Sequence, residues 1–131
     1  MSATPGKAAH LRRGEDAENA CCRYLQKQGL RLLERNYRCR MGELDLIMRE
    51  ADTLVFVEVR FRKQQDFGGA LASITPAKQK KLRRAAEFFM QQNRLDCSAR
   101  FDVVAMSPAG QHSRFAIRRE PYHYEWIRNA F

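Results

Sequence analysis

Asp45 and Glu58 are the two residues of this chain whose surroundings most invite chemistry. Asp45 lies in Gly42-Glu43-Leu44-Asp45-Leu46-Ile47-Met48, and Glu58 in Thr53-Leu54-Val55-Phe56-Val57-Glu58-Val59-Arg60. Side chains alternate along a strand, so Glu43, Asp45 and Ile47 share one face, and Leu54, Phe56, Glu58 and Arg60 share another. A two-residue turn at Ala51-Asp52 pairs Arg49 with Leu54 and sets Asp45 opposite Glu58. A four-residue loop keeps that register, whereas a three-residue loop puts Asp45 opposite Val57. In the first two registers the carboxylates stand side by side, with Cβ atoms about 5 Å apart. Two ionised acids so placed repel, and their apolar neighbours add desolvation. A hard divalent cation offsets both. Mg2+ takes oxygen ligands from one or two carboxylates, substrate phosphate and water, and a cation held this way activates water and neutralises charge on a phosphodiester. The plainer alternative pairs Glu58 with Arg60 or Arg62 and leaves Asp45 capping a turn or facing solvent. Val55, Phe56, Val57 and Val59 bracket Glu58 as in a buried strand, where an acid needs a partner. Residue types alone leave the two readings level.

The elements that must position this pair are legible in outline. Residues 13–28 carry Ala17, Ala20, Cys21, Tyr24 and Leu25 at helical spacing, and Gly29 suits the end of that helix. Glu18 lies on the flank of the apolar stripe, while Glu15 and Asp16 fall outside it. Strands are predicted over 30–37, 42–48 and 53–60, with Glu50-Ala51-Asp52 as the hairpin connection and Phe67-Gly68-Gly69 as a loop. Thr75-Pro76 starts a second helix that runs to about Asn93, with Leu82, Ala85, Ala86 and Phe89 as its buried stripe. Lys78 extends that stripe toward the helix start. Further strands are predicted over 100–106 and 114–118, and the aromatic tail Tyr122-His123-Tyr124-Glu125-Trp126-Ile127 is expected to dock on the body. In the strand at 100–106, Asp102 alternates away from Phe101, Val103 and Ala105, either as a second acid facing the site or as a structural partner of Arg100, and the structural role is preferred. Base stacking by Tyr122, Tyr124 and Trp126 is the less favoured reading of the tail. The pattern is that of an α/β fold, a mixed sheet flanked by helices.

The chain's 131 residues suffice for one domain. Residues 1–11 read as a flexible N-terminal arm and 12–131 as a single domain. No stretch approaches a membrane span, and the first residues lack a secretory signal, so a cytoplasmic location with no membrane partner is expected. Cys21 and Cys22 are adjacent, Cys39 and Cys97 stand alone, and the three histidines are scattered, without the clustered ligands of a zinc site, which favours reduced thiols with Cys21 in the core. The net charge of +9 favours a phosphate-rich partner through counterion release.

The same residues carry a resemblance. Gly42-Glu43-Leu44-Asp45-Leu46-Ile47 followed by Val55-Phe56-Val57-Glu58-Val59-Arg60-Phe61-Arg62 resembles the signature of the YraN family of small uncharacterised bacterial proteins. The likeness covers almost the whole chain, through Gly14, Glu18 and Ala20, Arg35-Asn36-Tyr37, Phe67-Gly68, Lys78, Arg100-Phe101-Asp102-Val103-Val104, Glu125-Trp126-Ile127 and Ala130-Phe131. That family in turn is similar to the PD-(D/E)xK nucleases, restriction-endonuclease-like in fold, and most to the archaeal Holliday-junction resolvases. The resemblance implies metal ligation by Asp45, Glu58 and the backbone carbonyl of Val59, with Glu18 contributing through a second metal or a bound water. It implies Mg2+ (or Mn2+) as cofactor and Arg60 in the place where the superfamily usually has Lys. Arginine keeps the charge and grips phosphate, yet stays protonated, so a mechanism needing a neutral amine there is excluded. Lys78 is a candidate second cation, its bland alternative being a solvated lysine.

The expected function is a divalent-metal-dependent endonuclease acting on DNA, branched or otherwise structured. Arg12, Arg13, Arg38, Arg40, Arg62, Lys63, Lys80 and Lys81 would hold the backbone, and the resolvase likeness allows a homodimer. The alternative is a catalytically inactive nucleic-acid-binding module that retains the nuclease fold; a third reading is an assembly partner for acidic protein.

Overall fold

The computed structural model describes residues 5–63, 69–109 and 121–131, with side chains from residue 14 onward. Helix α1 (Pro5–Lys27) is followed by strands β1 (Arg31–Cys39), β2 (Gly42–Glu50) and β3 (Thr53–Phe61). A short helix α2 (Gly69–Ala72) and the longer α3 (Pro76–Gln92) lead to β4 (Ala99–Pro108) and β5 (Tyr122–Ile127). One five-stranded sheet runs in the order β1-β2-β3-β4-β5, parallel only between β3 and β4, where the α2–α3 crossover makes the connection.

Local chemistry explains the boundaries. Gly29 at φ +105 ends α1, and the Leu30 amide bonds back to the Leu25 carbonyl at 3.1 Å, the closure a left-handed glycine permits. Thr75 caps α3 by accepting the Lys78 amide at 3.2 Å, ahead of Pro76 in the first turn. The β2–β3 hairpin closes on Ala51-Asp52, and Arg49 pairs with Leu54, the register a two-residue turn dictates.

Strand alternation divides the core into two layers. Leu46, Met48, Val55, Val57, Val104 and Met106 face α1 and meet Ala17, Ala20, Cys21 and Leu25. Ile47, Leu54, Phe56 and Val103 face α3 and meet Leu82, Ala85, Ala86 and Phe89. β3 is covered on both faces, which is why its sequence is an unbroken apolar run up to Glu58.

Three details differ from the sequence reading. The helix backbone of α1 extends back to Pro5, so residues 5–11 are helical where a loose arm was expected; a continuous helix satisfies backbone groups that a coil would leave to water. The aromatic tail is itself a strand, antiparallel to β4 with Val104 opposite Trp126. The crossover contains the extra turn α2, which buries Ala70. The strand predicted over 114–118 lies outside the described residues.

Candidate functional site

The sheet forks where the two carboxylates lie. The β2–β3 ladder runs from Glu50↔Thr53 to Leu46↔Val57 and stops. β2 nevertheless stays paired with β1 as far as Cys39↔Gly42, and β3 stays paired with β4 as far as Phe61↔Met106. Continuing the β2–β3 register would place Asp45 opposite Glu58 and give the Val59 amide to Leu44. Instead β2 turns aside, and the Val59 N–H donates to Asp45 Oδ2 at 2.9 Å. The turn is visible in the side chains: Leu46 faces α1, but Leu44 faces α3, so the alternation breaks at Asp45. A strand residue directs its N–H and C=O to the same side, so the Val59 carbonyl also points toward the fork.

Burial makes the pair costly to ionise. Glu58 is pushed up to about 8, first by burial and then by the Asp45 charge, against the pull of Arg60 and Lys78. Asp45 is also raised, by burial above all, although the Val59 amide and Arg60 draw it down. The two carboxyls hydrogen-bond each other, an arrangement that needs one shared proton. Arg60 reaches Glu58 Oε1 from Nη2 at 3.4 Å, and its Nε is buried with no hydrogen-bond partner among the described residues. A buried guanidinium N–H left open beside an acidic pair is a place for an anionic oxygen.

Glu18 approaches from α1. It is half-buried and its carboxyl is raised, by burial first and Asp45 second, while an Asn36 hydrogen bond and Arg35 lower it. Glu15, Glu18, Asn19, Arg35 and Asn36 line a polar cleft beside the fork. Arg35 Nη1 donates to Asn19 Oδ1, tying β1 to α1 across that cleft. Among the described residues, no three His, Cys, Asp or Glu side chains gather into one metal-holding group. Glu18 therefore stands apart from the ligand set that Asp45 and Glu58 could form.

The basic candidates fall into separate places. Lys78, in the first turn of α3, is exposed and acts on Glu58 through its charge. Lys80 and Lys81 are exposed on the same helix, and Lys81 packs beside Gly42 of the β1–β2 turn, where Arg40 is also exposed. Arg38 pairs with Glu43 at 3.2 Å on the surface. Arg62 is half-buried and donates to the Gly69 carbonyl at 3.0 Å, while Lys63 is exposed. The side chains of Arg12 and Arg13 lie outside the described residues.

Asp102 belongs to a different assembly. Fully buried, it accepts from Arg100 Nε at 3.0 Å, Trp126 Nε1 at 2.9 Å and the Asn129 amide at 2.9 Å. Arg100 also bonds Glu50, which bonds Arg128. This network fastens β5 and the C-terminal residues to β4 and to the β2–β3 hairpin, the structural role preferred for Asp102. Tyr124 stacks on Tyr24 of α1 at 4.3 Å, so the tail's aromatics serve the packing of β5 on the body. Asn36, quoted in the sequence only as part of the Arg35-Asn36-Tyr37 likeness, is a cleft residue to which sequence reasoning gave no role. Its signal was an asparagine inside a strand run, a residue type depleted in strands and tolerant of the left-handed region.

The fold is α/β, a mixed five-stranded sheet with flanking helices and a buried acid pair at a fork between two strands. The uncharacterised protein family UPF0102 matches residues 17–106. A UPF0102 protein of Nitrosomonas europaea is 51% identical over 119 residues, covering 91% of this chain and 92% of its own. One from Nitrosomonas eutropha is 50% identical over 131 residues, covering 100% and 97% respectively. One from Herminiimonas arsenicoxydans is 55% identical over 93 residues, covering 71% and 75%. The chain belongs to the UPF0102 (YraN) family. No helix among the described residues is long and apolar enough to cross a membrane.

Proposed function

We propose that this protein is a divalent-metal-dependent endonuclease of restriction-endonuclease-like architecture that hydrolyses phosphodiester bonds in DNA. The observation that carries the reading is the forked sheet, which buries Asp45 and Glu58 against each other, with Arg60 pairing Glu58 at 3.4 Å and Lys78 acting on it through its charge. An acid pair that must share a proton when empty suits a site that is completed by a cation. The donors fit a hard metal: carboxylate oxygens from Asp45 and Glu58 and the Val59 carbonyl, with water and substrate phosphate filling the remaining positions of Mg2+ or Mn2+. When bound, the cation supplies Lewis acidity and a more acidic water.

The chain's own groups then divide the work. Asp45 and Glu58 give up their shared proton as the site fills. The Val59 amide fixes the Asp45 rotamer, so one carboxylate oxygen is preoriented. Arg60 offers its open Nε–H to a non-bridging phosphate oxygen and stabilises charge there as water adds to phosphorus and the bond to the leaving sugar oxygen breaks. Lys78 adds positive potential from α3, and Glu18 acts through water from α1. Lys80, Lys81 and Arg40 hold the backbone without reading sequence.

The test is cleavage of labelled single-stranded, duplex, flap and four-way-junction DNA in Mg2+ or Mn2+. The resolvase resemblance makes the junction the favoured substrate. Cutting that disappears in EDTA and in Asp45→Ala supports the reading. Salt-dependent binding without cutting, unchanged by EDTA and by Glu58→Ala, would replace it with an inactive binding module.

A further inference from the structure

Asn36 lies on the exposed edge strand β1, one strand away from the acidic pair. In the β1–β2 register, Arg35↔Leu46 and Tyr37↔Leu44 bracket it, which places Asn36 opposite Asp45 at the fork. Its φ is +49, a left-handed value inside a strand, where most side chains are strained and asparagine is among the tolerated few. The break matches the one in β2. Tyr37 faces α3, while Arg35 reaches across to Asn19 of α1, so β1 and β2 change face together at Asn36 and Asp45. The Asn36 side chain is exposed and enters neither core layer; it lines the polar cleft together with Glu15, Glu18, Asn19 and Arg35, and its amide draws the Glu18 carboxyl down.

We infer that Asn36 is a positioning residue: its left-handed backbone turns the amide toward α1, where it holds Glu18 at the mouth of the Asp45–Glu58 fork so that Glu18 serves a bound divalent cation through water. The inference rests on the metal-dependent reading above. It makes the kink in β1 a working part of the site, and it makes Asn36 act only through Glu18. Partners that orient metal-associated groups typically matter about 10–100-fold in affinity.

The test uses the full chain with Mn2+ as probe, titrated by calorimetry into the parent, Asn36→Gly, Glu18→Gln and the double variant. Glycine accepts the positive φ and lacks the amide, so Asn36→Gly separates backbone strain from the hydrogen bond. Asn36→Gly is expected to melt close to the parent while losing about tenfold or more in Mn2+ affinity. Glu18→Gln should lose a similar amount, and the double variant no more than Glu18→Gln alone. Parental Mn2+ affinity in Asn36→Gly, or losses that multiply in the double variant, would overturn the inference. A parent that binds no Mn2+ would instead defeat the metal-dependent reading. The hold of Asn36 on Glu18 is then decided by melting temperatures in EDTA: shifts that fail to add support it, and simple additivity overturns it.

Discussion

Replacing Glu58 by glutamine should stabilise the metal-free protein at alkaline pH. Glu58 is buried beside Asp45, and its carboxyl titrates at about 8 instead of the ordinary 4.5. A raised acid binds its proton more tightly in the folded state than in the unfolded one. Its contribution is therefore whole below pH 4.5 and is lost as pH rises through about 8. Each pH unit in that window removes about 1.4 kcal/mol. Because Asp45 shares the proton, the loss is on the order of 3–5 kcal/mol, a large part of a small domain's stability. Glu58→Gln keeps the shape and one hydrogen-bond donor toward Asp45 but removes the ionisation. The assay is urea unfolding in EDTA, near the two ends of the window, for parent and variant. The parent should weaken steeply with rising pH and the variant much less, so that the variant is the more stable protein at the alkaline end. Mg2+ should restore the parent there by mass action and leave the variant almost unmoved. Parallel pH profiles for the two proteins would refute the buried, proton-sharing pair.

Other consequences can be measured on the same footing. Asp102→Ala strands Arg100 and the Trp126 indole N–H inside the β4–β5 seam, and should cost on the order of 3–5 kcal/mol in denaturant unfolding, with a changed Trp126 emission. Phe89→Ala opens the core under α3 and should cost about 3–5 kcal/mol, whereas Phe88→Ala on the exposed side of the same helix should stay within about 0.5 kcal/mol. Ala51 sits at φ +51 in the hairpin turn, so Ala51→Gly should raise stability by about 1 kcal/mol, and Gly29→Ala at φ +105 should lower it by at least as much, both read as urea midpoints.

How much of this was written in the sequence depends on which force sets the feature. Alternation and turn chemistry are local, so Thr75-Pro76, Gly29, the Ala51-Asp52 turn and the α3 stripe of Leu82, Ala85, Ala86 and Phe89 were all legible. The same alternation placed Asp45 beside Glu58. It did not reveal that β2 leaves β3 at that row, because the fork is set by a side chain taking a backbone's place on the Val59 amide, a contact between strands that no periodicity encodes. Tyr122 to Trp126 read as a docking tail because their aromatics were visible, but their strand geometry depends on β4 offering an edge and on Asp102 accepting the indole N–H. Asn36 escaped for a related reason. Its value lies in the residues it joins, Glu18 on α1 and the row of Asp45 on β2, and neither is its neighbour in sequence.

The measurement that bears most directly on the central claim is single-turnover cleavage of end-labelled junction and duplex DNA by the parent, Asp45→Asn and Glu58→Gln proteins, prepared side by side with and without Mg2+. The account predicts metal-dependent cutting by the parent that both substitutions abolish while DNA binding in EDTA survives in all three. Cutting that persists in either variant, or an intact substrate throughout with full binding, would contradict it.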